Sequence, residues 1–198
     1  MRKPFHDRKR SNLLVLIVLT SLGWAIGWII SFAISFSVFI LLVFNVDPSI
    51  GWIIGGVIGG AFGGSVAGSV TMIALRRMVP SIQLIQIIFV TVGWAIGMAT
   101  GAVICKVSAL PAGWAIGGAI GGGIGGLATM IALRQIITRI RVSQIVFIVI
   151  GWAIGGAIGV VIGRASNWTF GFAIGGATAG AIGGGLMFLL LNHSKNQN

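Results

Sequence analysis

Few of the 198 residues could carry acid–base, nucleophilic or metal chemistry, and those few stand far apart. Asp7 and Asp47 are the only acids, His6 and His193 the only histidines, and Cys105 the only cysteine. A catalytic acid–base pair, an activated nucleophile or a metal site needs several such groups converging on one point. His6 and Asp7 fall in a basic N-terminal stretch, Asp47 in a turn-forming stretch, and His193 near the other terminus. That scatter argues against an enzyme, against axial ligation of a haem, and against any metal or cofactor. One cysteine cannot close an intrachain disulfide. The window Gly121-Gly-Gly123-Ile-Gly-Gly126 has the spacing of a dinucleotide fingerprint, but it lies inside an apolar run with no strand before it and no acid after it. No nucleotide is expected there.

The remaining polar candidates are hydroxyls and amides: Ser31, Ser35, Ser65, Ser69, Thr71, Thr91, Thr100, Thr129, Thr178, Gln86 and Gln144. In an apolar helix Ser and Thr more often bond to a backbone carbonyl than line a path.

The elements that hold these residues are set by composition. Apolar residues make up 57% of the chain, charged residues 8%, and mean hydropathy is +1.08. A soluble domain carries about 25% charged residues, so this chain cannot clothe itself for water. Its net charge of +11 comes in short basic clusters between long apolar runs, a pattern of membrane orientation and not of nucleic-acid binding. The expected fold class is all-α, a polytopic membrane helix bundle of six spans at about 13–44, 51–75, 82–105, 112–133, 143–163 and 170–191, each at least as long as the roughly 20 residues a bilayer core requires. The first apolar stretch follows a basic start, as in a signal peptide, but it runs on to Phe44 without a cleavage pattern and is read as an uncleaved span.

Arg2, Lys3, Arg8, Lys9, Arg10, Arg76, Arg77, Arg134, Arg139, Arg141 and Lys195 fall in alternate breaks, leaving only Lys106 and Arg164 at the other end. The positive-inside tendency then places both termini in the cytoplasm of a bacterial inner membrane or thylakoid. Arg76, Arg77, Arg134, Arg139 and Arg141 would meet anionic headgroups at that face.

The chain also repeats itself. Thr71-Met-Ile-Ala-Leu-Arg76 recurs as Thr129-Met-Ile-Ala-Leu-Arg134, Gly93-Trp-Ala-Ile-Gly97 as Gly151-Trp-Ala-Ile-Gly155, and Gly113-Trp-Ala-Ile-Gly117 as Gly171-Phe-Ala-Ile-Gly175, each pair 58 residues apart. A first copy, Gly23-Trp-Ala-Ile-Gly27 with Gly51-Trp-Ile-Ile-Gly55, carries about eight extra residues within its first helix. The division is a basic N-terminus (1–12), three parallel two-helix repeats (13–75, 76–133 and 134–191) and a tail (192–198), forming one membrane domain. Threefold closure is favoured over a row of hairpins.

The 33 glycines recur at a spacing of four, which puts successive members one turn apart on a helix face. Gly55, Gly59, Gly63, Gly97, Gly101, Gly117, Gly121, Gly125, Gly155, Gly159 and Gly175 are the expected helix-packing positions, where a neighbouring backbone can approach closely. Trp52, Trp114 and Trp168 read as an outer aromatic belt, while Trp24, Trp94 and Trp152 fall near mid-membrane, where each indole N–H needs an acceptor.

These Gly-Trp-Ala-Ile-Gly units resemble glycine-zipper integral membrane proteins of cyanobacterial type, a resemblance that covers spans two to six and implies a packed helical fold with no activity attached. Three parallel hairpins also suggest mitochondrial carriers, but the Pro-x-Asp/Glu-x-x-Lys/Arg signature of that family is missing. Packing motifs without chemistry indicate a structural or assembly protein that organises lipids or partners, another membrane protein or a second copy of itself. The alternative is a passive pore or facilitator for small neutral solutes or ions.

Overall fold

The computed structural model describes the backbone over residues 5–108, 112–138, 140–166 and 168–195, with side chains described within 13–191 apart from 109–111, 139 and 167–169. Six helices follow one another: α1 (Phe5–Leu42), α2 (Pro48–Arg76), α3 (Leu84–Val107), α4 (Gly113–Ile136), α5 (Val142–Ala165) and α6 (Trp168–Lys195). The shortest have 24 residues, about 36 Å at the usual rise, enough for a hydrocarbon core of roughly 30 Å. All six are long and apolar enough to cross a membrane, and the chain is an integral membrane protein.

Glycine costs a soluble helix about 1 kcal/mol relative to alanine. In hydrocarbon an unpaired peptide group costs more, so glycine-rich segments stay helical. No described residue has positive φ, so none of these glycines serves as a turn.

Local chemistry sets the helix ends. Asp47 accepts from Ser49 N at 2.8 Å, and Pro48 occupies the first turn of α2, where its missing N–H is no loss. Gln86 Oε1 accepts from Gln83 N, and Gln144 Oε1 from Arg141 N, both at 2.9 Å. The two glutamines therefore close the starts of α3 and α5.

Three boundaries differ from the sequence reading. Helix α1 begins at Phe5, inside the basic N-terminus, because nothing in that stretch breaks a helix. Helix α2 begins at Pro48 and not at residue 51, since the Asp47 cap and Pro48 start it a turn early. Helix α6 begins at Trp168 and runs to Lys195, taking in part of the expected tail. The side chain of Trp168, expected in the outer belt, lies outside the described residues, as does Arg139.

Each helix packs against its neighbours in sequence, and α6 packs back against α1, so the six form a closed ring. The seams are close because side chains are missing from them. A Cβ on Gly27 would fall 2.6 Å from Gly63 O, one on Gly101 2.6 Å from Gly117 O, and one on Gly159 2.7 Å from Gly175 O. Between these pairs of helices, a Cβ on Gly60 would lie 2.8 Å from Met98 O and one on Gly118 2.5 Å from Gly156 O.

The last seam is set differently. Trp24 stands to Thr71 as Trp94 stands to Thr129, which makes Trp28 the counterpart of Met98. Gly176, 58 residues beyond Gly118, nevertheless meets Trp24 O at 2.6 Å and not the Trp28 carbonyl. The α6–α1 seam has slipped by one helical turn, and the Trp28 ring fills the space beside it, with Cη2 3.2 Å from where a Gly159 Cβ would be.

The first hairpin also corrects the sequence alignment. Trp24 and its acceptor are 47 residues apart against 35 for Trp94 and its acceptor, so twelve residues are added, not eight. They lie at the tip, where α1 and α2 both run further, and not within one helix. Gly55, 16 residues before Thr71 as Gly113 is before Thr129, is the counterpart of Gly113; Gly51 lies a turn further out, against Phe39 and Leu42.

Candidate functional site

The inside of the ring divides into a plug and a vestibule. Trp24, Trp94 and Trp152, about half way along α1, α3 and α5, meet one another with ring centroids 4.4, 4.8 and 5.0 Å apart. Trp24–Trp94 and Trp94–Trp152 are edge-on, the arrangement that sets a ring's positive edge against a negative face. All three are fully buried. Glycine makes room for them: the Trp94 ring lies on Gly125 and the Trp152 ring on Gly183.

A buried indole N–H needs an acceptor, and two of the three have one. Trp24 Nε1 donates to Thr71 Oγ1 at 3.1 Å and Trp94 Nε1 to Thr129 Oγ1 at 3.0 Å. Each threonine hydroxyl donates in turn to the carbonyl four residues back, Thr71 to Ala67 O at 2.8 Å and Thr129 to Gly125 O at 2.9 Å. The residue 58 positions beyond Thr129 is Met187, which is buried and offers no hydroxyl. Trp152 Nε1 accordingly has no partner among the described residues, and neither has Trp28 Nε1.

On the side of the plug nearer both chain termini, all six helices contribute side chains, and the described ones leave no lumen. Leu16, Met72, Leu75, Val90, Met130, Leu133, Ile148, Met187 and Leu191 are all almost completely shielded there. On the other side a half-open vestibule of about 120 Å³ has Trp24 and Trp152 in its floor, Trp28, Phe32 and Phe172 in its wall, and Trp52, Lys106 and Trp114 toward its mouth. Lys106 Nζ lies 4.5 Å from the Trp52 ring centre and 4.7 Å from that of Trp114, and the Arg164 guanidinium lies 5.2 Å from the Trp114 ring. All three are cation–π distances. Phe39 stacks on Trp52 at 4.3 Å, so the longer first hairpin steadies this rim.

The eleven helix-packing glycines expected from sequence are all buried at helix seams. Gly155 differs from the rest, because a Cβ there would meet Ala179 at an ordinary 3.5 Å. Arg76, Arg77, Arg134 and Arg141 are exposed at the end of the ring that carries the termini. Ser35, Ser65 and Thr178 bond to carbonyls four residues back, at 2.7, 2.8 and 2.9 Å. Ser69 and Thr91 instead bond to each other across α2 and α3 at 2.8 Å.

Sequence reasoning missed Trp28, the buried Thr20 and the pairing of the central tryptophans with Thr71 and Thr129. The recurrence of Thr at the head of both Thr-Met-Ile-Ala-Leu-Arg stretches, with Met187 in place of a third, is the signal that could have found the pairing. Comparison of the chain with protein-family models, with curated proteins and with solved structures found no match.

Proposed function

We propose that this chain is a membrane protein of structural or assembly type, a glycine-zipper bundle of three parallel hairpin repeats that organises lipids or partner proteins and catalyses no reaction. The observation that carries this reading is the filled axis. Three tryptophans in mutual contact, backed by closely packed Leu, Met, Val and Ile, leave no continuous path through the ring among the described residues. Outside, Ile, Leu, Val and Phe side chains are exposed along the helices, a surface suited to acyl chains or to another membrane protein. Arg76, Arg77, Arg134 and Arg141 form the face for anionic headgroups, on the cytoplasmic side of a bacterial inner membrane or thylakoid.

The alternative, a passive facilitator for small neutral solutes or ions, is favoured by one observation, the vestibule that reaches half way along the axis. Stopped-flow shrinkage of proteoliposomes challenged with water, glycerol, urea and salts separates the two. The structural reading expects rates equal to empty liposomes. Selective acceleration by folded, inserted protein would overturn it in favour of the facilitator.

A further inference from the structure

We infer that the vestibule is a binding site for a small organic monoanion, an aromatic or short-chain carboxylate whose apolar body enters the cup and whose charge meets Lys106 and Arg164. The inference starts from two cations in an odd place. Eleven of the thirteen basic residues fall in the N-terminal stretch, the tail and the alternate breaks of the sequence, and orientation in the membrane accounts for them. The four whose side chains are described, Arg76, Arg77, Arg134 and Arg141, lie at the end of the ring that carries the termini. Lys106 and Arg164 stand at the opposite end, 58 residues apart, at the ends of α3 and α5. A role in topology would place them with the others.

Their surroundings hold Lys106 in the mouth and Arg164 beside it, at the same Trp114 ring. The Trp52 and Trp114 rings fix the Lys106 ammonium, and Trp114 also faces the Arg164 guanidinium. A ring face attracts a cation but leaves its N–H groups without a lone-pair acceptor of the kind a carboxylate gives. Neither cation has a hydrogen-bond acceptor or a carboxylate partner among the described residues. The nearest acid in sequence, Asp47, is instead engaged with Ser49 N.

The cup behind them supplies the rest of the recognition. Its walls are mostly aromatic rings and glycines, with Met98 and short aliphatic side chains, and with Ser31, Ser35 and Cys105 as the small polar or thiol groups among them. Its volume of about 120 Å³ is close to that of apolar cavities that take up benzene, roughly 150 Å³. A benzene-sized body fits, whereas a two-chain phospholipid does not. Charge at the rim and an apolar, closed end together select an amphiphilic monoanion over either a neutral apolar molecule or a bare inorganic ion.

The test uses the full chain in nanodiscs of zwitterionic lipid, with 4-bromobenzoate as probe and 4-bromobenzamide as its neutral analogue of nearly equal size. Bromine quenches indole fluorescence at short range, so binding is read as saturable quenching after subtracting the signal of a lipid-partitioned tryptophan peptide. The expected result is that the carboxylate binds at least about tenfold more tightly than the amide, that K106Q/R164Q removes the difference, and that K106R/R164K keeps it. Equal quenching by the two probes, no saturable quenching by either, or a preference unchanged in K106Q/R164Q would each overturn the proposal. The probe comparison on the unmodified chain decides the matter even where the double variant folds poorly.

Discussion

The two threonine acceptors and the methionine that stands in the third place allow a single chemical change to be made at three related sites. Thr and Val are close in volume and differ by a hydroxyl. At position 71 the hydroxyl accepts from Trp24 Nε1 at 3.1 Å, and at position 129 from Trp94 Nε1 at 3.0 Å. T71V and T129V each leave a buried indole N–H without its partner. Interhelical bonds of this kind contribute about 0.6 to 1.7 kcal/mol in a membrane protein, because the unfolded state in lipid also finds partners. At position 187 the comparison runs between two variants, M187T and M187V. Both remove a buried methionine and create a similar void, so the cavity cost cancels. Only M187T offers an acceptor to Trp152 Nε1, which has none among the described residues. We expect Thr to be more stable than Val at all three positions by the same amount, roughly 3- to 20-fold in the unfolding equilibrium. The assay is reversible unfolding in mixed micelles of increasing SDS fraction, followed by tryptophan emission. Equal stability of T129V and the parent chain, or M187V as stable as M187T, would refute the account of the plug as a hydrogen-bonded cluster.

Other expectations follow from the seams and the rim. G118A puts a Cβ 2.5 Å from Gly156 O and G176A puts one 2.6 Å from Trp24 O, so both should lower the SDS midpoint sharply, whereas G155A, with 3.5 Å to Ala179, should be nearly neutral. G185A, whose Cβ would meet nothing within 4 Å, should hold or slightly raise stability through helix propensity of up to about 1 kcal/mol, read in the same titration. W94A removes a side chain with no exposed surface from the centre of the plug and should cost about 3 to 5 kcal/mol, seen as a lowered midpoint well before any change in solute flux is measured.

Much of this fold was legible because membrane spans are a matter of length and hydropathy, and basic breaks punctuate them. The glycine spacing was legible too, since a four-residue period means one helix face whatever the neighbour. The partner of each face was not. Nothing local distinguishes Gly155, which faces a tolerant Ala179, from Gly159, which faces the Gly175 carbonyl. The extra length of the first hairpin was visible, but its location was not: matching Gly51-Trp52 to Gly113-Trp114 by identity put it inside a helix, whereas the bonds of Trp24 and Trp94 put it at the tip. Trp28 was overlooked because Met98 and Gly156 occupy the corresponding places in the other units, and only the slipped α6–α1 seam makes a large ring fit. The vestibule depends on all six helices at once and could not be read from any one of them.

Ring closure underlies the plug, the cup and the slip alike, and it rests on the contact between the first and last helices. A Cβ on Gly184 would lie 3.2 Å from Thr20 Cβ, a few tenths of an ångström short of the usual span of a disulfide, about 3.5 to 4.5 Å. The measurement is therefore oxidation of T20C/G184C in a C105S background, in membranes, followed by intact-mass and SDS-gel analysis. Closure predicts rapid, intramolecular cross-linking at the mass of one chain. Free thiols after oxidation, or cross-links found only between two chains, would show that the hairpins lie in an open row.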